Sequence, residues 1–322
     1  MILMITSDIN LAIESLKKGN VIAIPTETVY GLAGNAFEES SVNKIFKIKN
    51  RPSFNPLIVH VPNPKYINKI AQNIPKIAQK LSKHFWPGPL TLVLEKQKHI
   101  SDIVTAGKST VAVRVPNHKL TLDLLSKLPF PLVAPSANPF GFTSSTSADH
   151  VIEYFADKID LILDGGVSLK GIESTIIGFE NDNAVLYRHG SIPIEEIEKI
   201  IGKVEIKNKN NLSPEAPGML KRHYAPKTKI VFSNDFIKSI KSYPNKKIGI
   251  LCLKKIKKIP KSVHQEVLSS DGNLNEAAKN LYASLHKLDR LNLDLILTSI
   301  VPEYELGRSI NDRLRRAVEV EN

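Results

Sequence analysis

Strands that follow one another without a predicted helix between them are the feature that most constrains this fold. PLTLVLEK is followed by TVAVRVP, and STIIGF is followed by AVLYRHG. Strands joined in this way pair antiparallel, whereas strands separated by a helix pair parallel. Because helical segments separate most of the remaining strands in the first two thirds of the chain, we predict an α/β fold with a twisted mixed sheet.

A change of pattern near residue 206 predicts a second domain. The segment 206–228 is polar, contains prolines and has no periodicity, which is typical of an extended linker. After it, strands and helices alternate as they do in a small Rossmann-like parallel α/β domain. The 322 residues are long enough for two cores. We therefore predict a first domain over 1–205, a linker over 206–228 and a C-terminal domain over 229–322.

Cysteine usage and the N-terminal sequence bear on the compartment. Cys252 is the only cysteine of the chain, so no intramolecular disulfide can form. The first residues, MILMITSDIN, do not read as a signal peptide, and no apolar run approaches the roughly 20 residues that span a bilayer. We expect a cytoplasmic protein without a membrane segment.

The net charge of +12 makes anionic partners plausible. It does not distinguish nucleotides from nucleic acids, and a lysine-rich genome would produce the same excess. Neither GxxxxGK[ST] nor GxGxxG occurs, so a bound nucleotide would have to be held by side chains.

Polar residues gather where the strand VIAIPT ends. Thr26, Glu27, Thr28 and Tyr30 lie there, beside glycines that permit tight turning. Open α/β sheets place their sites at such strand ends. A purely structural turn explains the glycines equally well.

Three cations precede the next apolar strand, which itself carries a histidine, in KIKNRPSFNPLIVHV. We expect the first of them, Lys47, to be a surface charge. Pro52 ends the helix, which leaves Lys49 and Arg51 at a junction where we expect them to point away from the core and bind phosphate. A basic helix end favoured by the helix dipole is the alternative. His60 is either a ligand-binding residue or a hydrogen-bonded core histidine.

Further strands end in groups suited to anions. In TVAVRVP, Thr110 and Arg114 share one face of the strand, which lies either in a pocket or at a solvent-facing edge. PLVAPSANPFGFTSST supplies Ser136, Asn138 and a run of hydroxyls over 143–146. Ser174, Thr175 and Arg188 follow later in the chain. A serine nucleophile is not expected, because no GxSxG elbow is present.

Together these segments resemble a known family. PTETVYGLAGNA, KNRPSFNPLIVHV, FWPGPLTLVL, VAVRVP, APSAN and ESTII, in this order, closely resemble the YrdC-type domain of threonylcarbamoyl-AMP synthases. The linker motif HYAP at 223–226 and the terminal GRSINDRLRRA resemble the longer, two-domain form of that family. The resemblance implies a YrdC-like domain with an open basic cleft.

The resemblance also implies an activity. L-threonine, bicarbonate and ATP would give threonylcarbamoyl-AMP and pyrophosphate, the first step of tRNA threonylcarbamoyladenosine formation. Mg²⁺ would arrive with ATP, since no carboxylate cluster suggests a protein-bound metal cage. A downstream tRNA threonylcarbamoyl transferase complex would use the product, and contact with tRNA is possible.

The resemblance assigns roles to residues of this chain. Lys49 and Arg51 would be catalytic. The threonine pocket would be lined by Thr28, His60, Arg114, Ala134 and Ser174. ATP or the adenylate would contact Arg51, Asn55, Thr110, Ser136, Asn138, Ser144 and Arg188, with Tyr224 of the linker closing over the nucleotide as part of a lid.

Two other functions fit some of the features. An RNA-binding module without nucleotide chemistry would explain the basic charge. A carbamoyltransferase of the hydrogenase-maturation type shares the YrdC-like domain, but that family carries zinc-finger cysteines, and the single cysteine here argues against it.

Overall fold

A computed structural model of the chain describes residues 3–181, 183–207 and 223–318. Its larger sheet has eleven strands in the described part, in the order β1-β8-β2-β3-β7-β4-β6-β5-β9-β10-β11. Their bounds are β1 Met4–Thr6, β2 Ile22–Ile24, β3 Gly31–Asn35, β4 Ile58–His60, β5 Leu90–Glu95, β6 Thr110–Arg114, β7 Leu132–Val133, β8 Leu161–Leu163, β9 Thr175–Glu180, β10 Asn183–Arg188 and β11 Glu205–Ile206.

This sheet is mixed, as the sequence predicts. The pairs β5–β6 and β9–β10 are antiparallel, and β4–β6 and β5–β9 are parallel. A single turn of helix lies between β5 and β6. The helices of this region are α1 Ile9–Lys17, α2 Glu39–Lys49, α3 Lys76–Phe85, α4 Asp102–Thr105, α5 Lys119–Lys127, α6 Ala148–Phe155 and α7 Ile194–Ile201, with a 3-10 helix over Pro64–Lys69.

The second sheet is small and entirely parallel in the described residues, with the order β12-β15-β13-β14. This confirms the second α/β unit. Its elements are β12 Ile230–Phe232, α8 Phe236–Ser242, β13 Ile248–Cys252, β14 His264–Val267, α9 Leu274–Asp289, β15 Leu295–Thr298 and α10 Leu306–Val318. We propose the division into 1–205, 206–228 and 229–322; positions 208–222 of the linker lie outside the described residues.

Apolar packing joins the two units. Val29 and Ile172 of the larger unit are fully or almost fully buried in one cluster with Leu281, Leu285 and other side chains of the C-terminal helices. Apolar side chains on α9 and α10 therefore cover part of the larger unit as well as their own sheet.

The glycines after β2 do not form a tight turn. Gly31 and Gly34 belong to β3, which pairs antiparallel with β2. A Cβ at Gly31 would lie 3.1 Å from the Ala134 Cβ, so the glycine allows close packing against the neighbouring chain segment. The prediction of tight turning at these positions was wrong.

The end of α2 sets the direction of the basic residues after it. The helix buries Val42, Ile45 and Phe46 and ends at Asn50, which adopts a left-handed conformation with φ 51°. Pro52 then prevents the helix from resuming. This reversal turns the chain toward the sheet.

Within the described ranges, every helix is too short or too polar to cross a membrane.

Candidate active site

A cavity opens where the ends of several strands of the large sheet meet the HYAP motif. The space between its protein atoms, including the part open to solvent, is about 530 Å³. Among the predicted site residues, those that line it are Thr28, Arg51, His60, Arg114, Ala134, Ser136, Ser174, Arg188 and Tyr224. The cavity thus gathers side chains from segments that are far apart in the sequence.

Arg114 is held at the end of β6 by partners from two other segments. Its Nη2 lies 2.8 Å from Glu27 Oε1, its Nη1 donates to Thr28 Oγ1 at 3.0 Å, and its Nε donates to Gly88 O at 3.3 Å. The side chain is only 4% exposed. Arg114 therefore lies in a pocket, not at a solvent-facing edge of the sheet.

Glu27 is a site residue that sequence reasoning singled out only as part of a polar strand end. Its carboxylate forms the buried ion pair with Arg114. A bidentate cation oriented in this way can hold a second carboxylate in a fixed position. The pairing could not be found from sequence, because the two residues are 87 positions apart in the chain.

His60 lies opposite Arg114 in the parallel β4–β6 pair. Its Nδ1 is 3.2 Å from Ile58 O, a contact in which Nδ1 carries the proton and Nε2 is left as an acceptor. Burial and then the Arg114 charge lower the pKa of His60 to about 3. The imidazole is therefore neutral at physiological pH.

This pKa predicts a pH dependence of stability. Because the pKa of His60 is lower in the folded protein than the value of about 6.5 in the unfolded chain, protons bind preferentially to the unfolded state at any pH between the two values. Stability is retained above pH 6.5 and falls as the pH drops toward 3. When the pH is lowered from 7.5 to 5.0, the low pKa of His60 should reduce the free energy of unfolding by about 2 kcal/mol.

Urea unfolding of the wild type and of His60→Gln at these two pH values measures this contribution. The variant should lose about 2 kcal/mol less than the wild type on acidification. Equal losses would show that burial does not lower the pKa of His60 in the folded protein.

Arg51 lies beside a second cation of the cavity. Its Nε donates to Asn55 O at 3.2 Å and its Nη2 to Pro56 O at 2.8 Å. Burial and then the charge of Arg188 lower the pKa of Arg51 to about 9, so it remains a cation at neutral pH. The side-chain amide of Asn55 is fully buried and makes no hydrogen bond to any described residue.

Lys49 does not point away from the core, and that prediction was wrong. The side chain is 1% exposed, and its Nζ donates to Ser136 O at 2.5 Å and also to Asn138 O. Burial and then the Arg51 charge lower its pKa well below the usual range. Lys49 supports the Ser136–Asn138 turn from behind and does not line the cavity.

Ser174 is fixed between two neighbours. Thr91 Oγ1 lies 2.7 Å from Ser174 Oγ, and Arg188 donates to Ser174 O through Nε at 3.2 Å and through Nη2 at 2.9 Å. Burial is the main cause of a lowered Arg188 pKa. The hydroxyl of Ser174 and the guanidinium of Arg188 therefore form one rigid part of the cavity wall.

The other predicted residues lie behind the cavity or away from it. Asn138 is buried, and its Nδ2 donates to Pro139 O and Phe142 O. Ser144 donates to Glu173 Oε1 at 2.6 Å. Thr110 begins β6, opposite Glu95 at the far end of the strand from Arg114. None of these three residues lines the cavity, and neither does Asn55 or Lys49.

The HYAP motif forms one wall of the cavity through His223 and Tyr224. Ala225 N donates to Gly141 O at 2.9 Å, and Thr143 N donates to Ala225 O at 3.1 Å. Tyr224 has a φ of 64°, a conformation that is uncommon for an aromatic residue. The motif is thus fixed against the loop after β7 in a strained backbone geometry.

Two buried polar atoms of this motif lack partners among the described residues, namely the Tyr224 hydroxyl and His223 Nδ1. Buried groups of this kind are normally hydrogen-bonded. Because His223 and Tyr224 line the cavity, these atoms are available to a ligand. His223 was part of the HYAP motif in the sequence but was not predicted as a site residue.

The described part of the chain contains no group of three or more His, Cys, Asp or Glu side chains arranged to hold a metal ion.

The geometry separates two kinds of binding surface. Arg114, Thr28 and His60 form one group with a fixed cation and a neutral acceptor. Arg51 and Arg188 form a second cationic group next to Tyr224. Such a cavity can bind two anionic substrates side by side and stabilise charge that develops between them.

Known protein families match both parts of the chain. The Sua5/YciO/YrdC family, described as "Telomere recombination", matches residues 14–190. The family described as "Threonylcarbamoyl-AMP synthase, C-terminal domain" matches residues 192–318.

Individual relatives match almost the full length. The threonylcarbamoyl-AMP synthase of Pyrococcus abyssi is 40% identical over 96% of this chain and 93% of its own length. That of Bacillus subtilis is 36% identical over 94% of this chain and 90% of its own length. The crystal structure of P. abyssi Sua5 complexed with L-threonine superimposes with a TM-score of 0.90 at 38% identity, covering 99% of this chain and 98% of that chain. The chain belongs to the threonylcarbamoyl-AMP synthase family, in its two-domain form.

Proposed function

We propose that this protein makes L-threonylcarbamoyladenylate and pyrophosphate from L-threonine, bicarbonate and ATP. The observation that carries the proposal is the pair of buried cationic groups, Arg114 with His60 and Arg51 with Arg188, in one cavity. Full-length similarity to synthases of this name supports it.

The group around Arg114 suits L-threonine. The guanidinium has the planar fork that a carboxylate needs, and Glu27 and Thr28 keep it in place. His60 Nε2 can accept a hydrogen bond from the amine or hydroxyl of the substrate. Ala134 and Ser174 complete the pocket that we assign to threonine.

The group around Arg51 suits ATP. Arg51 and Arg188 can neutralise phosphate oxygens, and the free amide of Asn55 can bind them as well. Ser136 and Tyr224 line the same cavity, and Ser144 and Asn138 shape it from behind. We propose that Mg²⁺ enters bound to the nucleotide, and that Thr110 contributes only once ATP extends beyond the cavity.

The proposed reaction needs no covalent enzyme intermediate. The threonine amine adds to carbon dioxide derived from bicarbonate and loses a proton, which gives a carbamate. A carbamate oxygen then attacks the α-phosphorus of ATP, the bond to the β-phosphate breaks, and pyrophosphate leaves. The fixed cations reduce repulsion between the two anionic reactants and stabilise charge on the leaving group.

Pyrophosphate release tests the proposal. Release from ATP should require both L-threonine and bicarbonate, and serine should replace threonine poorly. Release that is independent of threonine would overturn the proposal, and so would its absence from well-folded protein. Tight, salt-sensitive RNA binding without release would favour the RNA-binding alternative.

The HYAP motif is proposed to act as a lid whose tyrosine hydroxyl binds the nucleotide. Because an unpaired buried hydroxyl costs about 1–3 kcal/mol, Tyr224→Phe should be at least as stable as the wild type without ATP. Loss of a hydrogen bond to ATP should raise the ATP Kd by about two- to tenfold. Thermal unfolding and calorimetric titration measure the two effects. A variant with unchanged ATP affinity would remove this role for Tyr224.

The cellular setting follows from the proposed product. A mixed anhydride of this kind must be consumed by an enzyme that transfers its acyl group, and we propose the tRNA threonylcarbamoyl transferase complex. Contact of this chain with that complex or with tRNA, and a cytoplasmic location, are parts of the same proposal.

A further inference from the structure

One arginine of the C-terminal helix α10 reaches the wall of the cavity. Arg313 donates to Glu173 Oε2 through Nε at 3.2 Å and through Nη2 at 3.1 Å. Its Nη1 donates to His189 O at 2.5 Å, and its Cζ lies 5.0 Å from the centre of the Tyr224 ring. The side chain is 1% exposed. A single guanidinium thus contacts three segments around the cavity.

Those contacts are next to residues that we assign to substrate binding. Glu173 and Tyr224 line the cavity themselves. Glu173 precedes Ser174, and His189 follows Arg188 in the chain. Arg188 and Ser174 are hydrogen-bonded to one another, so a shift of either segment would move both.

Glu173 is held by donors from both units of the protein. Ser144 Oγ donates to it at 2.6 Å, and the Tyr282 hydroxyl, on α9, lies 3.0 and 2.9 Å from its two oxygens. Burial raises its pKa, but the charges of Arg313 and Arg188 outweigh this, and the pKa is lowered overall. The carboxylate is therefore ionised and bound on both oxygens.

We propose that Arg313 is a positioning residue for the nucleotide side of the site. From the C-terminal unit it fixes Glu173, the His189 carbonyl and the Tyr224 ring, and thereby sets the positions of Arg188 and Tyr224 for ATP. The inference rests on the proposed function, because it assigns ATP to this side of the cavity.

A role limited to holding the two units together is the competing explanation. The units already share an apolar cluster that includes Val29, Ile172 and Leu281. Buried ion pairs often contribute little stability compared with apolar replacements, whereas breaking one partner alone is costly. In addition, the planar guanidinium of an arginine orients the acceptors that it binds, because its N–H donors point in fixed directions. Stability and positioning can therefore be separated by choosing variants that remove both charges.

The test compares Arg313→Lys and the double variant Glu173→Gln/Arg313→Met with the wild type. Arg313→Lys keeps the charge and loses the fork, and the double variant removes both charges of the pair. Both should unfold near the wild-type temperature but bind MgATP about tenfold or more weakly, a loss of roughly 1.4 kcal/mol. The L-threonine Kd should change much less, because Thr91 also holds Ser174.

Arg315→Gln is the matched control. Arg315 lies on the same helix, but its ion pair with Glu303 is about half exposed, so its loss should leave both affinities unchanged. Calorimetry of MgATP and L-threonine binding gives the readout independently of turnover. A wild type that binds ATP but releases no pyrophosphate with threonine would reject the proposed function, and the ATP affinities would still test Arg313.

Several results would overturn the inference. One is an unchanged MgATP Kd in Arg313→Lys. Another is wild-type ATP affinity in the double variant, because the Glu173–Arg313 pair would then not be needed to position the nucleotide site. Unfolding of Arg313→Lys would also assign the residue to stability and not to positioning.

Discussion

Replacing Arg114 with lysine is expected to weaken L-threonine binding by about 10- to 100-fold, since hydrogen bonds to charged groups contribute about 1.5–3 kcal/mol. Lysine retains a positive charge opposite Glu27, so the buried carboxylate is not left unpaired. Lysine lacks the planar guanidinium of arginine, which contacts Glu27 and Thr28 and can hold a substrate carboxylate in a fixed orientation.

Calorimetric titration with L-threonine measures the effect on binding. The MgATP Kd of Arg114→Lys should stay close to the wild-type value, because Arg51 and Arg188 are intact. Normal threonine affinity in a folded Arg114→Lys protein would mean that another group binds the carboxylate. Arg114→Ala should lower pyrophosphate release further, by orders of magnitude, because it also leaves Glu27 as an unpaired buried charge.

Replacing Arg51 with alanine is expected to have the complementary effect on ATP. Removing one buried charged partner of a bound anion costs about 2–5 kcal/mol, which corresponds to a loss of roughly 30- to 3,000-fold in pyrophosphate release. Part of the loss should appear in kcat, because charge on the leaving pyrophosphate increases in the transition state. Arg51→Lys should recover part of the activity, since the charge is restored without the fork.

The L-threonine affinity separates this prediction from general damage to the fold. It should change little in Arg51→Ala, because Arg114 is held by its ion pair with Glu27 and its hydrogen bond to Thr28, without a contact to Arg51. A variant that loses threonine and ATP binding together would contradict the division of the cavity into two binding groups. Unchanged turnover would remove Arg51 from the mechanism.

Local patterns in the sequence were sufficient for most of the fold. The adjoining strands β5–β6 and β9–β10 are antiparallel, as their connections indicate, and the C-terminal sheet is parallel, as its alternation of strands and helices indicates. Very short elements such as β1 and β11 were missed, because two or three residues carry no detectable period.

The direction of side chains at the end of α2 could not be predicted. The sequence shows that Pro52 stops the helix, but it does not show that the Ser136–Asn138 turn passes over Lys49 and offers two carbonyl groups to it. A lysine at a helix end is normally solvated, and this contact overrides that tendency. Arg51, two residues later, faces the cavity as expected.

The partners of the buried carboxylates were also beyond sequence reasoning. Glu27 and Arg114 are 87 positions apart, and Arg313 is 140 positions from Glu173. Both pairs depend on how strands and helices pack and not on local spacing. The resemblance to the synthase family predicted most of the residues that line the cavity, but it did not predict Glu173 and Arg313, which support them.

The measurement that tests the central claim most directly is mass spectrometry of the product formed from ATP, L-threonine and carbon-13 bicarbonate. The proposed function predicts threonylcarbamoyladenylate that carries the heavy carbon, formed together with pyrophosphate and absent when threonine is omitted. Simple threonyl-adenylate, or pyrophosphate release without any carbon-13 product, would contradict the account.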